Sequence, residues 1–249
     1  KPGRKVPPPR SFQPAAQAGT PAGQKLSGLA AQLDAGTPML QLRADPDALA
    51  PERLLVFELT GGVMQFTEAV RLVPGLEFLG AEDIDEDDID DNPVAYLMVP
   101  SEAALRDIVS LWRGWQRNGL VPPRFSAWKA LLSQLRNIRP WGPEDRVTTA
   151  DHDVLAEEYA RNVGNTRVEV ELVFRRNGDA TEAEARAGIL AVGGKILARS
   201  RIPGAGYHAL LAELPGPALA DVIRRTPEGL AGLEAVLQIR RQSIFQLVP

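Results

Sequence analysis

The sequence predicts an α+β protein made of two small sheet-and-helix units. Three observations predict it. The last third, Thr166 to Pro249, reads strand, helix, strand, strand, helix, strand, and the stretch from Leu54 reads strand, helix, strand, strand, helix. That order is the ferredoxin-like layout, one sheet with two helices on one face. The length of 249 residues suits two domains better than one, and an apolar content of 44% can fill two cores.

Residues 1–48 are expected to form a flexible arm. Lys1 to about Thr20 is rich in Pro, Gln, Ala and basic residues, too polar to bury a core, and is expected to be disordered. A short amphipathic helix is expected at Gly23 to Leu33, with Leu26, Leu29, Ala30 and Leu33 on one stripe. Residues 49–146 form the first unit. Leu54 to Thr60 is an apolar strand stopped by Gly61-Gly62, and Phe66, Ala69, Val70 and Val73 have helical spacing. Leu76 to Ala81 and Val94 to Val99 are the next strands, with an acidic loop between them. Ser101 caps a helix whose buried stripe is Leu105, Ile108, Val109, Trp112 and Trp115. No clear fourth strand follows. Trp128, Leu131, Leu132 and Leu135 instead predict a further helix from Ser126 to Ile138.

Residues 147–165 are expected to connect the units through a helix at roughly Asp151 to Arg161. Residues 166–249 form the second unit. Val168, Val170, Leu172 and Phe174 alternate with Arg167, Glu169 and Glu171, a strand with one wet face. Thr181 and Glu184 have capping-box spacing for a helix that Gly193-Gly194 ends. Strands at Lys195 to Ile202 and Tyr207 to Leu214, a helix from Pro217, and a strand around Glu234 to Arg240 complete the order.

Composition narrows the function. With no Cys there is no disulfide, zinc-thiolate site or thiol nucleophile, which fits a reducing compartment. No apolar run approaches the length of a membrane span. A net charge of −4 argues against a general nucleic-acid binder. The chain begins Lys-Pro-Gly-Arg-Lys, without Met and without a signal-peptide core, so its natural start is expected upstream. The expectations are a cytoplasmic protein with no cofactor, no metal, no nucleic acid and no membrane partner.

The constellations that could carry chemistry are few. His208 sits in an alternating strand and His152 between two Asp, and neither has a nucleophile in sequence context, so both are read as structural or surface residues. Glu82 to Asp91 carries eight carboxylates in ten positions. Counted from Asp83, a calcium loop would need Gly and Glu where Asp88 and Val94 stand. The run is therefore a solvated loop, with Asp83, Asp85, Asp87, Asp88 and Asp90 as candidate contacts for a basic partner or a cation. Gly193-Gly194-Lys195 lacks the remaining phosphate-loop residues and is a helix C-cap. The strands lack the stacking aromatics of an RNA-recognition module. Most of the four Trp are read as core.

Four stretches carry a family resemblance. They are Leu54-Leu-Val-Phe-Glu-Leu-Thr-Gly-Gly62, Pro74-Gly-Leu-Glu-Phe-Leu79, Leu105-Arg-Asp-Ile-Val-Ser-Leu-Trp-Arg-Gly-Trp115 and Ile138-Arg-Pro-Trp-Gly-Pro-Glu-Asp-Arg146. Over Leu26 to Arg146 the chain resembles the N-terminal region of large bacterial subtilisin-like serine peptidases of the phage-defence type, associated with an AAA ATPase. The second unit is similar in element order to subtilase propeptides. The catalytic Asp, His and Ser motifs of a subtilase are absent from this sequence. The resemblance thus implies a non-catalytic prodomain that helps a catalytic domain fold and then inhibits it. Phe245, Gln246, Leu247, Val248 and Pro249 would lie in the protease cleft as a substrate-like tail, although Pro249 beside the cut is unusual because its ring fixes φ. The alternative is an interaction or sensing module whose acidic loop docks a partner such as the ATPase.

Overall fold

A computed structural model of the chain describes residues 19–45, 47–59, 63–83, 94–161, 164–174 and 178–242. The chain divides into two compact units, Lys1–Pro140 and Trp141–Pro249. Both combine helices with an antiparallel four-stranded sheet. The expected disorder of the Pro-rich start falls on residues outside those described.

In the first unit, α1 (Pro21–Asp34) and α2 (Met39–Ala44) precede β1 (Leu55–Leu59), α3 (Val63–Arg71), β2 (Leu76–Asp83), β3 (Val94–Pro100), α4 (Glu102–Asn118), α5 (Ser126–Gln134) and β4 (Leu135–Pro140). The sheet order is β2-β3-β1-β4. Thr20 caps α1 by accepting from the Gly23 N–H at 3.1 Å, with Pro21 in the first turn where its missing donor costs nothing. Residues 21–34 are more than part of an arm: Ala22, Leu26, Leu29 and Ala30 lie in the core of the first unit. The Arg113 guanidinium holds α1 to α4 by donating to Ala30 O at 2.6 Å and Asp34 Oδ2 at 2.5 Å. Trp112, Trp115 and Trp128 are buried as expected, and Trp128 Nε1–H donates to Ala69 O at 2.7 Å.

The main difference from the sequence expectation is β4. The helix of Ser126 ends at Gln134, and a fourth strand occupies Leu135–Pro140 against β1. The strand escapes notice because its inward residues, Leu135 and Ile138, are three apart, which is helical spacing. A bulge reconciles the two. Leu59 faces Leu135 and Glu58 faces Asn137, so Arg136 is the extra residue that lets Ile138 point inward again. The first unit therefore completes the βαββαβ order.

In the second unit, α6 (Pro143–Arg146) and α7 (Thr149–Arg161) lead to β5 (Thr166–Leu172), α8 (Asp179–Ala191), β6 (Lys195–Ile202), β7 (Tyr207–Leu214), α9 (Gly216–Ile223) and β8 (Val236–Arg241). The order β6-β7-β5-β8 repeats that of the first sheet. Val168, Val170, Leu172, Leu210, Ala212, Leu214, Val236 and Ile239 form the sheet side of the core, and Ile189, Leu219 and Val222 the helix side. Leu155 of α7, expected in a connector, belongs to this core. Helix α8 starts at Asp179 after Gly178, so Thr181 is buried inside its first turn and is not the cap. The Glu184 carboxylate accepts from the Ala235 N–H at 3.3 Å instead. The α8 C-terminus is the expected glycine stop. Gly193 at φ 76 donates to Leu190 O at 3.0 Å and Gly194 to Ile189 O at 2.8 Å, the paired bonds of a Schellman motif.

Candidate functional site

The sequence-predicted site residues fall at two points of the chain. Asp83 is the last residue of β2, paired with Val94 of β3. Asp85, Asp87, Asp88 and Asp90 lie outside the described residues, as do Phe245, Gln246, Leu247, Val248 and Pro249. What precedes the tail is described to Gln242, whose N–H donates to Arg167 O at 3.4 Å and so carries the β5–β8 pairing past Arg241.

The base of β8 is held by the segment with which the second unit opens. Trp141 Nε1–H donates to Leu237 O at 2.7 Å. Arg146, 3% exposed, donates from Nε to Val236 O at 2.8 Å and from Nη1 to Ala231 O at 3.1 Å. Asp145 accepts from the Gly142 N–H at 2.7 Å, which closes the short turn between them. Arg225 donates to Val147 O at 3.0 Å and pairs with Glu144. Its backbone adopts φ 54, a left-handed conformation that costs a side chain on the order of 1 kcal/mol. In the sequence, residues 141–146 stand out only as part of the Ile138 to Arg146 stretch that carries the family resemblance. Their role as backbone anchors for a strand 90 residues later has no local signal.

A second polar centre joins α8 to the β6–β7 hairpin. His208 is fully buried, and its Nε2 hydrogen-bonds Glu182 Oε2 at 3.0 Å. Glu182 also accepts from Arg186 Nε at 2.7 Å and lies 3.5 Å from Arg199 Nη1. Burial alone would raise the Glu182 pKa, but the hydrogen bonds from Arg186 and His208 and the charge of Arg199 outweigh it and hold the carboxyl below its ordinary value. A His–Glu pair resembles two members of a hydrolytic triad. The other imidazole nitrogen, Nδ1, has no hydrogen-bond partner among the described residues, and a Cβ added at Gly178 would lie 3.2 Å from it. Among the described residues no hydroxyl or thiol meets that nitrogen, and the His208–Glu182 bond ties α8 to β7 inside the unit. His152 is likewise local, its Nδ1 3.0 Å from Asp153 Oδ1.

The opposite face of the same sheet carries a third group. Tyr207 O–H donates to Glu169 Oε1 at 2.8 Å, and Arg240 bridges Glu169, at 3.0 Å, and Glu171. Burial comes first in raising the Glu171 pKa, and burial followed by the Glu169 hydrogen bond pushes Tyr207 up to about 12. These are cross-strand pairs that fix register between β7, β5 and β8. Among the described residues, no group of three or more His, Cys, Asp or Glu gathers to hold a metal ion, and no helix is long and apolar enough to cross a membrane.

No family model matches the sequence, and no curated protein matches it. Among solved structures, the chain is similar to an unknown protein from Galdieria sulphuraria. The two share 12% identity over 77% of this chain and 99% of that one, with a TM-score of 0.22, too low to bear on fold or function.

Proposed function

We propose that the chain is the non-catalytic prodomain portion of a subtilisin-like serine peptidase, which assists folding of the catalytic domain and then inhibits it. The second unit docks by its sheet, and Phe245 to Pro249 enter the substrate cleft as an extended strand. The observation that supports this most is the continuity of β8. Its pairing with β5 persists to Gln242 and its base is pinned by Trp141 and Arg146, so the following residues start from a fixed point. A tail held by a folded body acts at high effective concentration, which turns a weak peptide into an effective inhibitor.

Bulges at the sheet edges favour an end-on contact over a lateral one. The edge strands β6 and β8 each carry an extra residue relative to their neighbours, Leu197 and Leu237. Such bulges twist an edge away from strand addition. The test removes residues 245–249 and compares inhibition of a purified subtilisin-like catalytic domain from the same source. A weakening of about tenfold or more, about 1.4 kcal/mol, is expected. Equal inhibition by both forms would rule out the tail as the inhibitory element.

A further inference from the structure

A cleft of about 400 Å³ opens on the first unit between the outer face of α4 and the turn at 122–125. Leu111, Gly114 and Phe125 line it together with three guanidinium-bearing residues, Arg113, Arg117 and Arg124, against a single carboxylate, Asp107. Arg113 is committed to Ala30 and Asp34. Arg117 and Arg124 are exposed, and neither has a carboxylate partner among the described residues. Arg117 complements the C-terminal end of α4, whose last turn it occupies. Arg124 lies outside the helix and stands over the Phe125 ring at 4.6 Å, so the helix dipole does not account for it.

Gly114 is the second observation. It sits in the interior of α4, where glycine costs a helix more than alanine would. Outside its own helix, a Cβ there would meet only the Leu120 carbonyl oxygen, at an ordinary 3.6 Å. Among the described residues, nothing requires the missing side chain. Its absence deepens the cleft between the guanidinium groups.

We propose that this cleft receives the acidic run Glu82 to Asp91 of a second copy of the chain. The complementarity is in the sequence of that run, where Ile84 and Ile89 are interspersed among eight carboxylates. Guanidinium groups of the rim pair with carboxylates in bidentate geometry, while Leu111 and Phe125 offer an apolar floor to an isoleucine. Two guanidinium groups on one cleft, neither with a carboxylate partner among the described residues, favour an anionic occupant. This inference is independent of the protease reading.

Sedimentation velocity of the full chain over a wide concentration range tests it. Self-association is expected at low ionic strength, weakening as salt screens the contact. The pair Arg117→Glu and Arg124→Glu abolishes it, as does the triple Asp85→Asn, Asp87→Asn, Asp88→Asn. Mixing those two variant proteins restores a heterodimer, because each retains one half of the contact. Gly114→Ala raises the melting temperature yet weakens association, a combination that a merely damaged fold does not give. A chain that stays monomeric at every concentration, or association that survives in both charge variants, overturns the proposal.

Discussion

At the residue scale, Glu182 and Tyr207 show how burial and hydrogen bonding together set charge. Glu182 sits below its ordinary pKa because Arg186 and His208 hold the ionised form despite burial. A depressed carboxyl stabilises the fold above its unfolded pKa, about 4.3, and loses that contribution as pH falls through the lower folded value. Glu182→Ala should cost about 2 kcal/mol or more at neutral pH, since it leaves buried His208 and the Arg186 guanidinium without their carboxylate partner, and should flatten the acid limb of the stability curve. Urea unfolding at several pH values measures both. Tyr207 has the opposite sense. Its pKa of about 12, against an unfolded value near 10, means its stabilising contribution is complete below pH 10 and is lost as pH rises through 12. Ultraviolet titration should show a phenolate component near pH 12 that Tyr207→Phe removes. Neither pairing was legible in the sequence, because His208 and Glu182 are 26 residues apart, on different elements.

At the element scale, most of the second unit could be read in advance. Strand alternation marked β5 and β7, and Gly193-Gly194 marked the end of α8. The missed strand β4 failed for a definite reason, a bulge at Arg136 that imposes three-residue spacing on Leu135 and Ile138. The same device recurs in β8, where Leu237 is the extra residue between Val236 and Ile239. There residues 224–235 separate the strand from α9, whereas β4 follows α5 without a break. The anchorage of β8 gives a prediction at this scale. Arg146→Met removes the partners of two buried carbonyls and should destabilise the second unit by about 2 kcal/mol or more. Amide exchange should accelerate in β8 before it does in β7.

At the scale of the whole molecule, the two units are structural counterparts. Both sheets follow one strand order, and both carry a bulge on each edge strand at matching positions. The Glu58–Arg139 pair between β1 and β4 at 2.8 Å corresponds to the Glu171–Arg240 pair between β5 and β8. Aligned on these pairs, Leu135, Asn137, Ile138 and Arg139 match Val236, Gln238, Ile239 and Arg240. The likeness is diluted to a few positions by the extra helices of the first unit, so no repeat is visible in the sequence alone. Each unit has its own core, and residues 141–242 should therefore fold as a fragment, with cooperative thermal unfolding by circular dichroism. The proposed prodomain role requires this molecule to act on a separate catalytic body. Titrating the intact chain into an active subtilisin-like catalytic domain from the same source, while following hydrolysis of a chromogenic peptide, tests it most directly. Activity should fall to near zero at equal amounts of the two proteins; an unchanged rate at a large excess of the chain would contradict the account.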